Sequence, residues 1–423
     1  MLWDWKRGKI MDEKKLVITG MGACTPIGIG VPEYWKNLIN SVCGIGKITR
    51  FDASELPVQI AAEIRGFDPA AYLPRPLVRT MDPFMQYAWV AAEEALHDSS
   101  LSVEPEADRI GIVMGTAMDG ISTVAHTQER YGERGPRRIS PHFVPMVIGN
   151  VAAARIAIAH GIHGPSFTLN TACSAGGDAV MTAAMLLRSG EAEAVLAVGG
   201  ESILCPVVVA GLAQAKALSR RNDEPQCACR PFDIDRDGFV IGEGGGALLI
   251  ETEEHALARG AEIKAVLAGY ANTNDGYHVT APSPHGEGAA ACMRRALSRA
   301  GFLPGEIGYI NAHGTSTVLG DRAETQAVKS VFGGAERTPP VSSTKGATGH
   351  LMGAGGITEI IACIQAIREG ILPPTLNLDT PDPQCDLDYI PNFARKAEIH
   401  AAMSNSFGFG GQNSSIIVEQ YKK

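Results

Sequence analysis

The sequence has 423 residues, 45% of them apolar and 20% charged, which is enough to bury a large core, and its formal net charge is −9. That acidity opposes nonspecific nucleic-acid binding, so an acidic partner would have to meet a local basic patch. No run approaches the roughly 20 apolar residues that cross a bilayer, and the opening Met1–Lys14 is polar and charged, so neither membrane anchor nor signal segment is read and a cytoplasmic protein is expected. Residues 1–14 read as an N-terminal extension, because Met11 directly precedes Asp12-Glu13-Lys14 and the first strand-like run. Nine scattered cysteines form no regular framework and read as reduced thiols; Cys227-Ala-Cys229 lacks metal-site spacing and reads as loop.

Taken in order, the chain predicts strand Leu16–Gly20, helices Pro32–Asn40 and Met85–Leu96, and strand Ile110–Gly115. Helix Pro145–His160, buried strand Ser166–Ala172 and Ala-rich helix Ala175–Arg188 follow, then strands Ala194–Gly200, Ala247–Glu251 and Ile263–Tyr270. The remainder reads as helix Gly288–Ala300, strand Ile307–Ala312, helix Arg322–Phe332, strand Pro340–Ser343, helix Gly356–Arg368, and strands Ala401–Ser404 and Ser415–Glu419. Such alternation is that of an α/β protein with its sheets covered on both faces.

The chain also echoes itself. Leu16-Val-Ile-Thr-Gly-Met-Gly-Ala resembles Ala265-Val-Leu-Ala-Gly-Tyr-Ala-Asn, and Asn170-Thr-Ala-Cys-Ser-Ala-Gly-Gly has a loose counterpart in Ser343-Thr-Lys-Gly-Ala-Thr-Gly-His350. The order of the matches predicts two similar halves, 15–260 and 261–423, with loops from both meeting at one site.

Cys173 stands between a predicted strand and a predicted helix, where unpaired N–H groups and the helix dipole favour thiolate. A lone cysteine is more often inert, but the other eight lack this setting. His313, in Asn311-Ala-His-Gly-Thr-Ser-Thr317, and His350, in Lys345-Gly-Ala-Thr-Gly-His350, each occupy a small-residue loop after a strand. A neutral imidazole there can donate to a developing oxyanion. Lys345 is a candidate for a buried pair with Glu359. Ser404-Asn-Ser-Phe-Gly-Phe-Gly-Gly411 offers flexible backbone N–H groups for an oxyanion pocket. Asp233-Ile-Asp-Arg-Asp-Gly238 has neither the ligand order of an EF-hand nor a P-loop lysine and reads as a structural turn.

Together with Ile48-Thr-Arg-Phe-Asp52, Arg230-Pro-Phe-Asp233 and Leu372-Pro-Pro-Thr375, these segments resemble the β-ketoacyl-acyl-carrier-protein synthases, especially the elongating enzymes of bacterial fatty-acid synthesis, from about Leu16 to Glu419. The resemblance implies the thiolase fold, two duplicated halves in a five-layer α-β-α-β-α arrangement, as a homodimer. It implies that Cys173 accepts an acyl group, that His313 and His350 serve malonyl decarboxylation and condensation, and that Lys345 and Glu359 support them. The backbone N–H groups of Cys173 and Phe409 are then the oxyanion hole, and the Phe409 ring a gate. Thr280, Thr315 and Thr317 match positions that contact a phosphopantetheine arm carried by the acyl carrier protein. Arg137, Arg138 and Lys216 match its docking positions. Met118 matches the far end of the acyl pocket, and Phe143 a segment that crosses the dimer interface. No metal or redox cofactor is implied. Ser174–Val180 is closer to polyketide ketosynthases, Gln412 replaces a more usual Thr or His, and Arg75-Pro-Leu-Val-Arg79 is sparse in charge. These departures leave a polyketide or specialised lipid pathway as the alternative.

Other readings fit less of the sequence. A thiolase would carry a second cysteine near the C-terminus, which Ser404–Gln412 lacks; a noncatalytic chain-length partner would lack the nucleophile; a Cys-His hydrolase leaves the second histidine unexplained.

Overall fold

The apolar runs join into one sheet in the computed structural model, which describes residues 3–4, 9–10 and 14–422. Its ten main strands are β1 (Leu16–Thr25), β2 (Ile110–Gly115), β3 (Ser166–Leu169), β4 (Ala194–Glu201), β5 (Gly244–Thr252), β6 (Ala265–Asn274), β7 (Tyr309–Asn311), β8 (Val341–Ser342), β9 (Ala401–Gly408) and β10 (Gln412–Glu419). They lie side by side as β8-β7-β9-β10-β6-β1-β5-β4-β2-β3.

Between β6 and β1 the pairing thins to two residue pairs. On either side of that seam lies a five-stranded half with the same order. Its third, second and fourth strands run parallel, and the fourth, fifth and first antiparallel. Helix α1 (Pro83–Ser99) covers the outer face of the first half, and α3 (Glu287–Ala300) with α4 (Val318–Phe332) covers that of the second. Helices α2 (Ala175–Ser189) and α5 (Gly355–Glu369) fill the space between the halves. Ala179, Val180 and Ala183 of α2 share one core with Ile357, Ile360 and Ile361 of α5, Val113 of β2 and Ile416 of β10. The result is the five-layer α-β-α-β-α arrangement expected from the sequence.

The echo between Leu16–Ala23 and Ala265–Asn272 has a packing cause. A Cβ at Gly20 would lie 2.1 Å from the Ala95 carbonyl oxygen of α1, and one at Gly269 would lie 2.4 Å from the Ala296 carbonyl of α3. Each half therefore uses the same glycine to seat a helix directly on its first strand. The second echo needs correction. The counterpart of the Cys173 turn is the single 3₁₀ turn Met352–Ala354 ahead of α5, because the equivalent turn Ala172–Ser174 stands immediately ahead of α2. Both turns open on a non-glycine residue with positive φ, +50° at Ala172 and +45° at Met352. Ser343–His350 lies one turn upstream.

Three further expectations change. The strand expected over 166–172 ends at Leu169, and Ser166 and Phe167 are exposed, because β3 is the edge of the sheet with one flank unpaired. The helix expected over 145–160 is two, Phe143–Val147 and Asn150–His160, separated by extended Ile148 and by Gly149, whose missing Cβ admits Asp119. Helix Ile121–Arg134 escaped prediction because its aliphatic positions, Ile121, Val124 and Ala125, are confined to its start and none of its residues is fully buried. Most of the expected extension, residues 1–14, lies outside the described residues.

Beside the seam, the first half holds a buried charged cluster that ties β5 to β1 and to the end of α1. Glu251 of β5 accepts from Arg259 Nε (2.8 Å), from His255 Nδ1 (2.6 Å) and from the Thr19 hydroxyl of β1, while Arg259 Nη1 donates to the Ser99 carbonyl at the end of α1 (2.9 Å). Burial alone would raise the Glu251 carboxyl, but Arg259, His255 and Thr19 together hold it down to about 2. A depressed folded value adds stability that is complete above the unfolded carboxyl pKa of about 4.3 and is lost as pH falls through about 2. Glu251→Gln is therefore expected to lower unfolding stability at pH 6 by about 3 kcal/mol and to flatten its dependence on pH between about 5 and 2. Urea titrations of both proteins across that range measure this, and parallel acid limbs would contradict it.

Candidate active site

The chain turns at Ala172 with positive φ, so Cys173 sits on the tight Ala172–Ser174 turn and its thiol, 8% exposed, faces a cavity of about 440 Å³ between the halves. The second half supplies the opposite wall. His313 follows β7, and its backbone N–H and that of Gly314 both donate to Glu324 of α4, at 2.9 and 2.7 Å. His350 follows the short helix Lys345–Thr348. The imidazole rings meet edge to face with centroids 5.3 Å apart. The Cys173 Sγ and one ring nitrogen from each histidine all lie within 4.8 Å of one another.

Both histidines lie well below their ordinary pKa, chiefly because burial penalises the cation and further because Lys345 is positive nearby. Lys345 is 1% exposed and ion-paired with buried Glu359. The proton on His350 can be placed: Nδ1 accepts the Met352 N–H at 3.3 Å, so Nε2 carries the hydrogen, and Nε2 has no protein partner. A cysteine and two imidazoles also make a metal-ligand set. Here the donor tautomer of His350 opposes it, since a protonated nitrogen offers no lone pair.

Two backbone donors converge on the nucleophile. The N–H groups of Phe409 and of Cys173 itself approach Sγ. Gly408 makes this approach feasible, because a Cβ there would stand 3.1 Å from both the Cys173 nitrogen and the Thr171 carbonyl oxygen. Burial nevertheless pushes the Cys173 thiol up to about 11, with the Phe409 N–H and Lys345 drawing it partly back. The sequence expectation of a favoured thiolate is thus corrected. In this closed cavity desolvation outweighs the helix end, and the resting group is a thiol.

The chain as a whole is similar to known proteins. Residues 13–256 match the family described as "Beta-ketoacyl synthase, N-terminal domain", and residues 264–379 match "Beta-ketoacyl synthase, C-terminal domain". The "3-oxoacyl-[acyl-carrier-protein] synthase 2" of Synechocystis sp. is 45% identical over 413 residues, covering 97% of this chain and 99% of that one. A β-ketoacyl synthase structure from Burkholderia phymatum superimposes with a TM-score of 0.90 at 35% identity, over 97% of this chain and 100% of that one. A type II polyketide ketosynthase solved with its acyl-carrier protein gives 0.88 at 33% identity, with the same coverage. The chain belongs to the β-ketoacyl synthase family. Its five layers are those of the thiolase fold.

Within this β-ketoacyl synthase, Met118, Thr280, Thr315, Thr317 and Lys216 line the same cavity as Cys173, His313 and His350. The Phe409 ring, 37% exposed, stands at its mouth. Lys345 and Glu359 lie buried outside the lining. Arg137 and Arg138, exposed on the turn Pro136–Arg138, and Phe143, half-buried, are not brought to the cavity of this single chain.

Sequence reading missed Glu324, Glu201 and Met352. Burial pushes Glu324 up to about 7, against the Gly314 and His313 N–H groups. Glu201 receives the Ala117 N–H (2.6 Å) and Gly353 N–H (3.1 Å) on one oxygen. An acidic residue at the end of an apolar strand was the available signal for Glu201; Met352 had none. The polyketide-like Asp178 is a local brace, accepting from Thr171 Oγ1 (2.6 Å), Ser174 Oγ (2.8 Å) and Asn272 Nδ2 of β6 (2.8 Å).

Lys345→Met leaves the Glu359 carboxylate buried without its cation and is expected to cost roughly 3–5 kcal/mol, seen as a lower urea midpoint. Adding Glu359→Leu should restore part of that loss. Loss of the positive charge should also raise the pKa of His313 and His350, which NMR titration of the imidazole carbons reads. Unmoved histidines would contradict the electrostatic role.

Proposed function

We propose that this cavity carries out decarboxylative Claisen condensation in fatty-acid chain elongation, joining an acyl group held on Cys173 to a malonyl unit on an acyl carrier protein. The convergence of the Cys173 sulfur with His313 and an unpartnered His350 N–H, beside two backbone donors, supports this reading most directly.

In the first half-reaction Cys173 Sγ attacks the acyl thioester, with the developing oxyanion held by the Cys173 and Phe409 N–H groups. The tetrahedral intermediate expels the carrier thiol, which leaves with the proton that the cysteine gave up. Malonyl carrier then binds with its thioester oxygen toward the histidines. Release of carbon dioxide leaves an enolate, which His350 Nε2–H and His313 stabilise. Its carbon attacks the acyl-Cys173 carbonyl, and collapse gives 3-oxoacyl carrier and the Cys173 thiolate, which takes up a proton from solvent to restore the thiol. Neutral imidazoles suit this step, because a hydrogen-bond donor is needed in a dry pocket without a standing charge.

The phosphopantetheine arm comes with the carrier and runs past Thr280, Thr315 and Thr317, while the Phe409 ring gates the channel. Met118 closes the far end of the acyl pocket. The carrier docks on Arg137, Arg138 and Lys216. A homodimer through edge strand β3 would cover exposed Phe167 and bring Phe143 to the partner's acyl pocket. Residues 15–260 and 261–423 are taken as the two functional halves. Among the described residues no helix is long and apolar enough to cross a membrane.

Cys173→Ala should abolish acyl-enzyme formation by intact mass. His350→Ala should still acylate Cys173 while losing roughly 10²–10³-fold in malonyl-dependent turnover. Condensation by the alanine nucleophile variant, or normal turnover without His350, would defeat the mechanism.

Reversing the charges of Arg137, Arg138 and Lys216 to Glu should raise the KM for an acidic carrier and remove its salt dependence, because docking charge is screened by ions. A short pantetheine thioester should be much less affected. Equal losses on both substrates would point away from docking.

A further inference from the structure

The Met352 thioether lies 3.9 Å from the Cys173 sulfur, is 7% exposed, and lines the cavity. At that separation the sulfurs are in contact with no atom between them. The first carbons of an acyl group on Sγ must find room beside this thioether.

The backbone beneath Met352 cannot supply that room. Its N–H is engaged by His350 Nδ1 at 3.3 Å, and the next N–H, of Gly353, by Glu201 at 3.1 Å. Gly353 is also packed tightly, since a Cβ on it would lie 2.6 Å from the Thr116 Cα. The same Glu201 oxygen holds Ala117 of another cavity wall. With both walls pinned through one carboxylate, the movable part is the Met352 side chain. It has three rotatable bonds and no branch, so it can swing aside at little cost. At φ +45° a β-branched residue would be strained before it could move at all.

We propose that Met352 is a specificity-determining residue that governs branching at the acyl carbon next to the thioester, admitting unbranched chains by withdrawing and restricting α-branched ones by its bulk. The inference rests on the condensing reading above, with Cys173 as acyl acceptor. It assigns a task to the duplicated turn: one copy places the nucleophile one residue after its strained opening residue, and the other uses that opening residue to guard it.

The test presents butanoyl-carrier and 2-methylbutanoyl-carrier in equal amounts to the full-length wild-type enzyme, Met352→Ala and Met352→Leu. Intact mass separates the two acyl-enzymes, and peptide mapping confirms Cys173. The wild type should favour butanoyl. Met352→Ala should raise the branched-to-linear ratio roughly tenfold, the scale of discrimination available from small apolar volume changes. Met352→Leu keeps the volume in a stiffer, branched shape and should lower the ratio severalfold. If the alanine variant fails to fold, the leucine variant decides alone. Wild-type ratios in both folded variants would overturn the role of Met352 while leaving the condensing reading intact. Failure of the wild type to load either acyl group on Cys173 would overturn both.

Discussion

The fold depends on how closely two helix starts approach between the sheet halves. A Cβ on Gly176 of α2 would lie 2.8 Å from the Gly353 carbonyl oxygen, and one on Gly356 of α5 would lie 2.8 Å from the Gly177 nitrogen. Glycines at this contact let the two N-termini start side by side. That contact sets the nucleophile turn against the Met352–Ala354 turn and places reactive groups from distant parts of the chain around one cavity. Duplication alone would give two similar halves; the glycine contact makes them share a site.

A shared buried site has an electrostatic cost. Lys345 and Glu359 are nearly inaccessible, and a pair so placed loses much of its hydration. The return is chemical. Lys345 stands close enough to disfavour protonation of both histidines, so they remain neutral donors where the proposed reaction forms a negative oxygen. Glu324 acts from the other side through the backbone, fixing the His313–Gly314 segment by two N–H bonds. His350 takes its tautomer from a single backbone donor, that of Met352. The ring nitrogens are thus set by main chain and by a buried ion pair.

Much of this was legible in the amino-acid sequence because it rests on local rules. Apolar runs marked ten strands, glycine echoes marked the duplication, and the strand-to-helix setting singled out Cys173. The pairing of Lys345 with Glu359 stood as a candidate too, although α5 is buried on nearly every side and helical phase alone does not single out Glu359. What escaped depends on distance across the fold. Met352 looks like an ordinary apolar loop residue until its turn is laid against that of Cys173. Glu201 shows its purpose only when Ala117 and Gly353 meet on one oxygen. The edge position of β3 is invisible in its composition, because a strand's neighbours are a property of the sheet. The misplaced second echo has a similar origin: the true counterparts share backbone shape, positive φ followed by a short turn and a helix, with almost no shared residues.

The thiol itself joins these strands of reasoning. Strand-turn-helix placement argued for an activated sulfur, yet burial pushes it up to about 11. Reactivity in the resting state and enclosure in a dry pocket are opposing demands, and enclosure prevails. In the proposed reaction the sulfur becomes a good nucleophile only as a thioester brings an oxygen under the Cys173 and Phe409 N–H groups, because the charge that leaves sulfur is then taken up by donors already in place. A sulfur kept protonated until that moment is also a poor target for stray electrophiles and oxidants, which react with thiolate. The same burial that keeps the histidines neutral therefore restrains the cysteine, and in the proposed reaction the substrate relieves that restraint by supplying the acceptor.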